Sequence, residues 1–147
     1  LAEALRRRGH EVVASDVADW GYRGIAFYAD VFTLAAAPAA LAVTNPPYSR
    51  AHALVDHLLA IGARRVLVLC DFAWYVRKGE VGAWWRTAPC TDVLPLERRI
   101  SPWRVDVPLN ERRNGSTQHY AWFAFEPRRA GGGARLERIP EHTGGRS

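Results

Sequence analysis

The sequence predicts an α/β protein: a doubly wound, mostly parallel sheet that ends in an antiparallel strand pair. Three observations lead there. Short apolar runs (Val12-Val13-Ala14, Leu41-Ala42-Val43 and Val66-Leu67-Val68-Leu69) alternate with helical patterns in units of about 25 residues, as parallel strands joined by crossover helices require. Between the second and third runs, Leu54, Val55, Leu58 and Leu59 fall at helical spacing. After Pro89 the pattern changes to strands that pair back on one another.

Residues 1–8 carry apolar positions at Leu1, Ala2, Ala4 and Leu5 and are closed by Gly9, which reads as the last turns of a helix with its C-terminal glycine. Val12-Val13-Ala14 is expected to be a buried strand with Asp16 at its C-terminal end. Residues 17–30 are mixed and aromatic, a loop with one short element. The alanine-rich stretch 33–40 is expected to be a helix stopped near Pro38. Leu41-Ala42-Val43-Thr44 is the next strand, ended by two prolines that cannot donate to a ladder. Ser49 is the expected N-cap of a helix that runs to Ile61 and is closed by Gly62. Residues 66–69 form a fully apolar strand, and 72–90, with Trp74, Trp84 and Trp85, are helical in part. Residues 91–96 and the alternating strand 118–126 (Tyr120, Trp122, Phe123, Phe125) read as an antiparallel pair across the hydrophilic stretch 110–117. Gly131-Gly132-Gly133 then links to one short extra strand at 134–139. One domain over 1–126 and a Gly- and Arg-rich tail over 127–147 result.

A chain of 147 residues that is 48% apolar and 24% charged has the composition of a soluble globular domain, which excludes disordered and collagen-like classes. No apolar run approaches the roughly 18–20 residues of a membrane span, so no membrane partner is expected. The sequence holds no methionine and opens within a helical pattern, so a segment before Leu1 is expected to be missing. All but one of the 20 cationic side chains are arginine, the exception being Lys78, and the net charge is +5. Such a surface attracts nucleic-acid phosphates, although the arginines are scattered as a biased composition would scatter them. Cys70 and Cys90 fit neither a zinc spacing nor a disulfide framework, and point to a reducing cytoplasm.

Chemistry enters at Asn45-Pro46-Pro47-Tyr48. Consecutive prolines hold Asn45 and Pro46 out of the helical region and remove two N–H groups, leaving a stiff loop with its carbonyls outward. Open α/β sheets bind ligands beyond the C-terminal ends of their strands, where this loop is predicted to stand. Asn45 supplies a side-chain acceptor, the following carbonyl a second, and Tyr48 a flat face. Those groups suit a planar amide or aromatic amine with both N–H bonds satisfied. The lone pair of an exocyclic amine is delocalised into its ring. Two fixed acceptors favour a pyramidal nitrogen whose lone pair points at an electrophile, and that needs no strong base. By composition the tetrapeptide arises by chance in roughly one such chain in a few thousand.

Leu41-Ala42-Val43-Thr44-Asn45-Pro46-Pro47-Tyr48 resembles the catalytic motif of class I S-adenosylmethionine-dependent methyltransferases that act on amino groups, chiefly N6 of adenine. The resemblance implies a Rossmann-like fold and S-adenosylmethionine as cofactor. It implies that Asn45 and Pro46 accept the amine, that Pro47 supports the loop, and that Tyr48 stacks on the base. Val12-Val13-Ala14-Ser15-Asp16 is similar to the family's second-strand segment, which implies Asp16 on the cofactor ribose and Val17 on its adenine. Asp30-Val31-Phe32 resembles a short signature in which Asp30 contacts the adenine amine and Phe32 packs beside it. Residues 118–126 look like the family's last strand. The family's first strand and glycine-rich turn would precede the helix at 1–8, so the missing segment is expected to be that strand and turn, about 20–40 residues. No separate target-recognition domain is expected within these 147 residues.

The implied reaction is methylation of adenine N6 in DNA, on a base extruded from the duplex. RNA adenine and protein glutamine are the alternative acceptors, and a truncated, non-catalytic remnant that at most binds nucleic acid is the alternative outside the enzyme class. The basic balance favours nucleic acid, DNA before RNA. His52 and His57 lie five apart, on different helical faces, and are expected to be surface or helix-packing residues rather than metal ligands. Trp84, Trp85 and Trp122 are expected in the core. Trp74 and Trp103 are balanced between core and base stacking. Arg112, Arg113 and Asn114 are candidate phosphate contacts weighed against a solvated loop, and Arg128 and Arg129 are expected to be exposed.

Overall fold

The computed structural model describes residues 1–97, 118–127 and 134–137. Trp103, Arg112, Arg113, Asn114, Arg128 and Arg129, and the stretches 110–117 and 131–133, lie outside the described residues. In chain order the elements are α1 (Ala2–Arg6), β1 (Ser15–Asp16), β2 (Phe27–Tyr28), a 3₁₀ turn (Val31–Thr33), β3 (Leu41–Thr44) and α2 (Ala51–Ala60). Then follow β4 (Arg65–Asp71), a second 3₁₀ turn (Phe72–Trp74), α3 (Gly79–Trp85), β5 (Cys90–Pro95), β6 (Tyr120–Phe125) and β7 (Arg135–Leu136).

The architecture is mixed α/β. A five-stranded sheet has the order β3-β4-β6-β5-β7, and β1 and β2 pair parallel in a separate two-stranded sheet. Strands β3, β4, β5 and β7 run in one direction, and β6 alone runs against them, between β4 and β5. The parallel β3–α2–β4 unit is the predicted crossover, and the antiparallel pairing of β5 with β6 is the predicted C-terminal pair. The extra strand expected after the glycine run is β7.

Alternation decides which side of the sheet carries the core. Val66, Val68 and Cys70 of β4 lie in register with Phe125, Phe123 and Ala121 of β6. All six are essentially inaccessible to solvent. Ala51, Leu54, Val55 and Leu58 of α2 cover this face, with Trp74 beside them and Val81, Trp84 and Trp85 of α3 packed against the cluster. Helices α2 and α3 therefore sit on one face of the large sheet, where a doubly wound sheet would carry helices on two.

Three local expectations are corrected, and one left open, Trp74, is decided. Val12-Val13-Ala14 is not a buried strand: the ladder holds only Ser15 opposite Phe27 and Asp16 opposite Tyr28, and Val13 is 47% exposed. A strand is buried by neighbours on its edges and faces, and this one has a single partner two residues long. Residues 33–40 are not helical. Leu34 is extended, and the backbone is spent on the α2–β4 turn instead: Ala37 N–H donates to the Ile61 carbonyl at 2.9 Å, and the Ala40 carbonyl accepts from Arg64 and Arg65 at 2.8 and 3.1 Å. Ser49 does not cap α2. Arg50 holds that position, its N–H donating to the Pro47 carbonyl at 3.0 Å, and its guanidinium has no acceptor with which to cap the helix. Trp74 is 1% exposed and lies edge-on to Trp85 and Phe123, with ring centroids 4.8 and 5.3 Å away, so it is core and not a stacking platform. At the far end of α2 the glycine expectation holds: Gly62 has φ +103, a backbone that favours glycine.

Several arginines turn out to hold the fold together. Arg6 donates to the Tyr22 hydroxyl at 2.7 Å and to the carbonyls of Val12 and Gly24 at 2.9 and 3.0 Å, fastening α1 to the loop before β2. Asp92, 7% exposed in β5, accepts from Arg65 at 2.8 Å, Arg135 at 3.1 Å and the Thr91 hydroxyl at 3.0 Å, so one buried carboxylate ties together β4, β5 and β7. Removing the carboxylate leaves donors without their acceptor. Asp92→Ala is expected to lower unfolding stability by about 2–3 kcal/mol in urea melts. Arg135→Ala, on the 71% exposed partner, is expected to change it by less than about 1 kcal/mol. In the aromatic core, Trp74→Ala is expected to lower stability by about 3–5 kcal/mol in the same melts.

Candidate functional site

The edge at which β3, β4 and β5 end and β6 begins gathers the residues with chemical potential. Asn45 follows directly on Thr44, the last residue of β3, and is exposed. Pro46 is buried, so the loop is anchored by its ring, while Pro47 is exposed and Tyr48 half-buried against the core. Proline stiffness and one buried ring thus hold an exposed amide and an aromatic face on the same short loop.

Tyr48 has a defined partner. Its hydroxyl donates to that of Tyr120 at 2.9 Å, and the Tyr120 hydroxyl donates to Oε1 of Gln118 at 3.0 Å. Burial, then the Tyr120 hydroxyl, then Cys70 and Asp71 at the end of β4 push the Tyr48 hydroxyl well above the usual phenol range. It stays a neutral donor across the physiological range. Asp71 itself caps the turn that follows, accepting from Ala73 N–H at 3.0 Å.

The residues expected around a cofactor divide into two groups. Asp16, Val17 and Asp30 gather at the C-terminal end of the small sheet, where Asp16 pairs with Tyr28 and its carbonyl accepts from Ala29 N–H at 2.9 Å. Oδ1 of Asp16 accepts from Ala18 N–H at 3.2 Å and from the Trp20 indole at 3.3 Å. Oδ1 of Asp30 accepts from Phe32 N–H at 3.1 Å and caps the 3₁₀ turn. Val17 and Trp20 are 69% and 53% exposed beside them. Phe32 belongs to the other group. Its ring lies 4.3 Å from the Arg50 guanidinium and 5.4 Å from the His57 ring, so it packs the 3₁₀ turn onto α2. Arg50 is also the residue whose N–H bonds the Pro47 carbonyl, so Phe32 adjoins the proline loop through it. The small sheet and the large one share no ladder among the described residues.

His57 lies tilted against Phe32, and His52 lies edge-on to Trp84 at 6.1 Å with Glu80 at 3.6 Å, so both are helix-packing residues. Among the described residues no group of three or more His, Cys, Asp or Glu is arranged to hold a metal ion, and no helix is long and apolar enough to cross a membrane. Trp84 and Trp85 pack against the core cluster as expected, whereas Trp122, also expected in the core, is half-buried in β6 and outside that cluster.

Compared with protein-family models, with curated proteins and with solved structures, the chain gives no match. The function must therefore be argued from the geometry. Tyr120, Gln118 and Arg50 are the site residues that sequence reading missed. Tyr120 stands in an alternating strand where an aromatic reads as core, and no local pattern couples it to a tyrosine 72 positions earlier.

Burial pushes the thiols of Cys70 and Cys90, both free, up to about 12. A thiol that ionises near 9 in the unfolded chain but stays neutral in the fold favours the folded state until pH exceeds the lower value. Stability is therefore expected to be level below about pH 9 and to fall as pH rises toward 12. Urea melts across that range check the slope. In the folded chain at about pH 8, both thiols are expected to resist iodoacetamide.

Proposed function

We propose that this chain is a methyltransferase domain of Rossmann-like fold that moves a methyl group from S-adenosylmethionine to an exocyclic amine, adenine N6 in DNA before other acceptors. The observation that carries the reading is the position of Asn45-Pro46-Pro47-Tyr48. It leaves the C-terminal end of a parallel strand with the amide of Asn45 exposed and Tyr48 held beside it. Ligands of open α/β sheets bind beyond that edge. The inserted antiparallel β6, expected as the last strand of such a domain, supports the same fold.

Each residue has a distinct task. The side-chain oxygen of Asn45 and the carbonyl of Pro46 accept the two N–H bonds of the amine, turning its lone pair out of conjugation. As the new N–C bond would form and the methyl-to-sulfur bond of S-adenosylmethionine break, leaving a neutral thioether, the same acceptors would hold the proton that leaves for solvent. Pro47 keeps both acceptors at fixed spacing, and Tyr48 stacks on the ring that bears the amine. What supports a cofactor on the neighbouring side is two carboxylates, Asp16 and Asp30, with the exposed apolar side chain of Val17 between strand end and solvent. Carboxylates suit ribose hydroxyls and an adenine amine, so this donor set fits S-adenosylmethionine, which when bound supplies an electrophilic sulfonium methyl group. Phe32 is oriented by Arg50 and His57 and would border that space from the α2 side.

Nucleic acid is the favoured acceptor on two counts. The amine geometry suits a nucleobase, and Arg77 and Lys78 stand exposed where the chain leaves β4 at the same edge. RNA adenine and protein glutamine present the same planar N–H₂ group and remain the comparison acceptors. One observation favours a second reading, a chain that binds nucleic acid without turnover. The carboxylates stand on a small sheet that shares no ladder with the one bearing the proline loop.

Transfer of labelled methyl from S-adenosylmethionine to DNA, RNA and a glutamine peptide tests the proposal. DNA is expected to be methylated fastest, at adenine N6, and Asn45→Ala is expected to slow transfer by about 100-fold or more. Transfer undiminished in Asn45→Ala would sink the site assignment. Nucleic-acid binding without transfer to any acceptor would favour the second reading.

A further inference from the structure

We infer that Tyr120 is a positioning residue for the acceptor, holding the ring of Tyr48 in one plane through a hydroxyl-to-hydroxyl bond that Gln118 anchors. The inference rests on the proposed reading, in which Tyr48 offers its face to a planar amine. Stacking needs only that face, and phenylalanine has the same one. What the Tyr48 hydroxyl adds is orientation.

The geometry supplies it. Tyr48 donates to Tyr120 at 2.9 Å and Tyr120 donates to Gln118 at 3.0 Å, so each hydroxyl hydrogen has one defined direction. The second side-chain torsion of an aromatic residue is broad, and a ring held by its own torsions alone can tilt. The para oxygen lies on the axis of that torsion, but conjugation keeps the hydrogen bonds of a phenol near the plane of its ring, so the direction of the Tyr120 oxygen selects the plane. Tyr120 is a sound reference point because the sheet immobilises it. It is 4% exposed, pairs with Asp71 across the β4–β6 ladder, and its carbonyl accepts from Leu96 N–H at 2.9 Å. The plane of the acceptor platform is thus set by the first residue of β6 and not by the proline loop that carries it. A tilted platform weakens stacking on the base without altering the acceptors on Asn45 and Pro46, so the effect belongs in acceptor binding.

Steady-state kinetics on an adenine-containing DNA oligonucleotide, with S-adenosylmethionine as donor, tests this through Tyr48→Phe, Tyr120→Phe and the double variant. Each single change is expected to raise the oligonucleotide KM about fivefold, the size of one lost hydrogen bond, with the KM for S-adenosylmethionine unchanged. The double variant is expected to be no worse than either single one, because both remove the same bond. Effects that add in the double variant, or a lower kcat with the oligonucleotide KM unchanged, overturn the inference: a purely structural hydroxyl gives that pattern. Adenosine binding, followed by tryptophan fluorescence, repeats the comparison without turnover. About fivefold weaker binding in both single variants supports the role, and wild-type affinity in Tyr120→Phe overturns it. The two levels fail differently. Undiminished transfer in Asn45→Ala removes the site assignment and the inference together, whereas slowed transfer there with wild-type kinetics in Tyr120→Phe removes only the positioning role.

Discussion

Strand β6 lies antiparallel between β4 and β5 and is hydrogen-bonded along both edges, from Val66 opposite Phe125 to Asp71 opposite Tyr120, and from Cys90 opposite Phe125 to Pro95 opposite Ala121. A central strand has no solvent to satisfy its backbone, so both ladders must form together. Phe123 and Phe125, fully buried, fill the space beneath Trp74, Trp84 and Trp85, and the aromatic core exists only once β6 is in place. The same insertion carries Tyr120 to the edge where β3 and β4 end. Core and candidate site therefore depend on one strand entering in one register.

Charge in this chain serves structure. Asp92 gathers Arg65 and Arg135 at the far end of the sheet from the proline loop, and Arg6 fastens the N-terminal region. Arg50 lies over Phe32 and joins the 3₁₀ turn to α2. A net charge of +5 does not by itself mark a nucleic-acid surface when arginines are occupied in this way. The exposed pair Arg77 and Lys78 is the better argument, because it stands at the edge where the acceptor would arrive.

The candidate site has two halves with different degrees of definition. The acceptor half is built on the large sheet, with a buried proline and an aromatic ring tied by its hydroxyl. The half assigned to the cofactor rests on a two-residue ladder with exposed Val17 and Trp20 around it. Phe32, packed on Arg50 and His57, and Val31, packed against the core cluster, lie between them. A ligand that touched both halves would join two sheets that share no ladder among the described residues.

Much of this was legible in the sequence. Apolar periodicity located β3, α2, β4 and β6, because burial of one face imposes a spacing that a few residues record. Two adjacent prolines marked the loop, because their sterics act on the neighbouring residue and need no tertiary context. Where a segment's fate depended on distant neighbours, local pattern misled. Val12-Val13-Ala14 has the composition of a buried strand but lacks flanking strands among the described residues, and the alanines of 33–40 give up helix for bonds to the α2–β4 turn. Trp74 could be placed in the core only by the aromatic residues of α3 and β6 that surround it. The sequence by itself determined the strand, the stiff loop and the chemistry of its four residues. Only the tertiary structure decided that Tyr48 is held by Tyr120, because that bond joins positions 72 apart through the register of an antiparallel ladder, which no local spacing records.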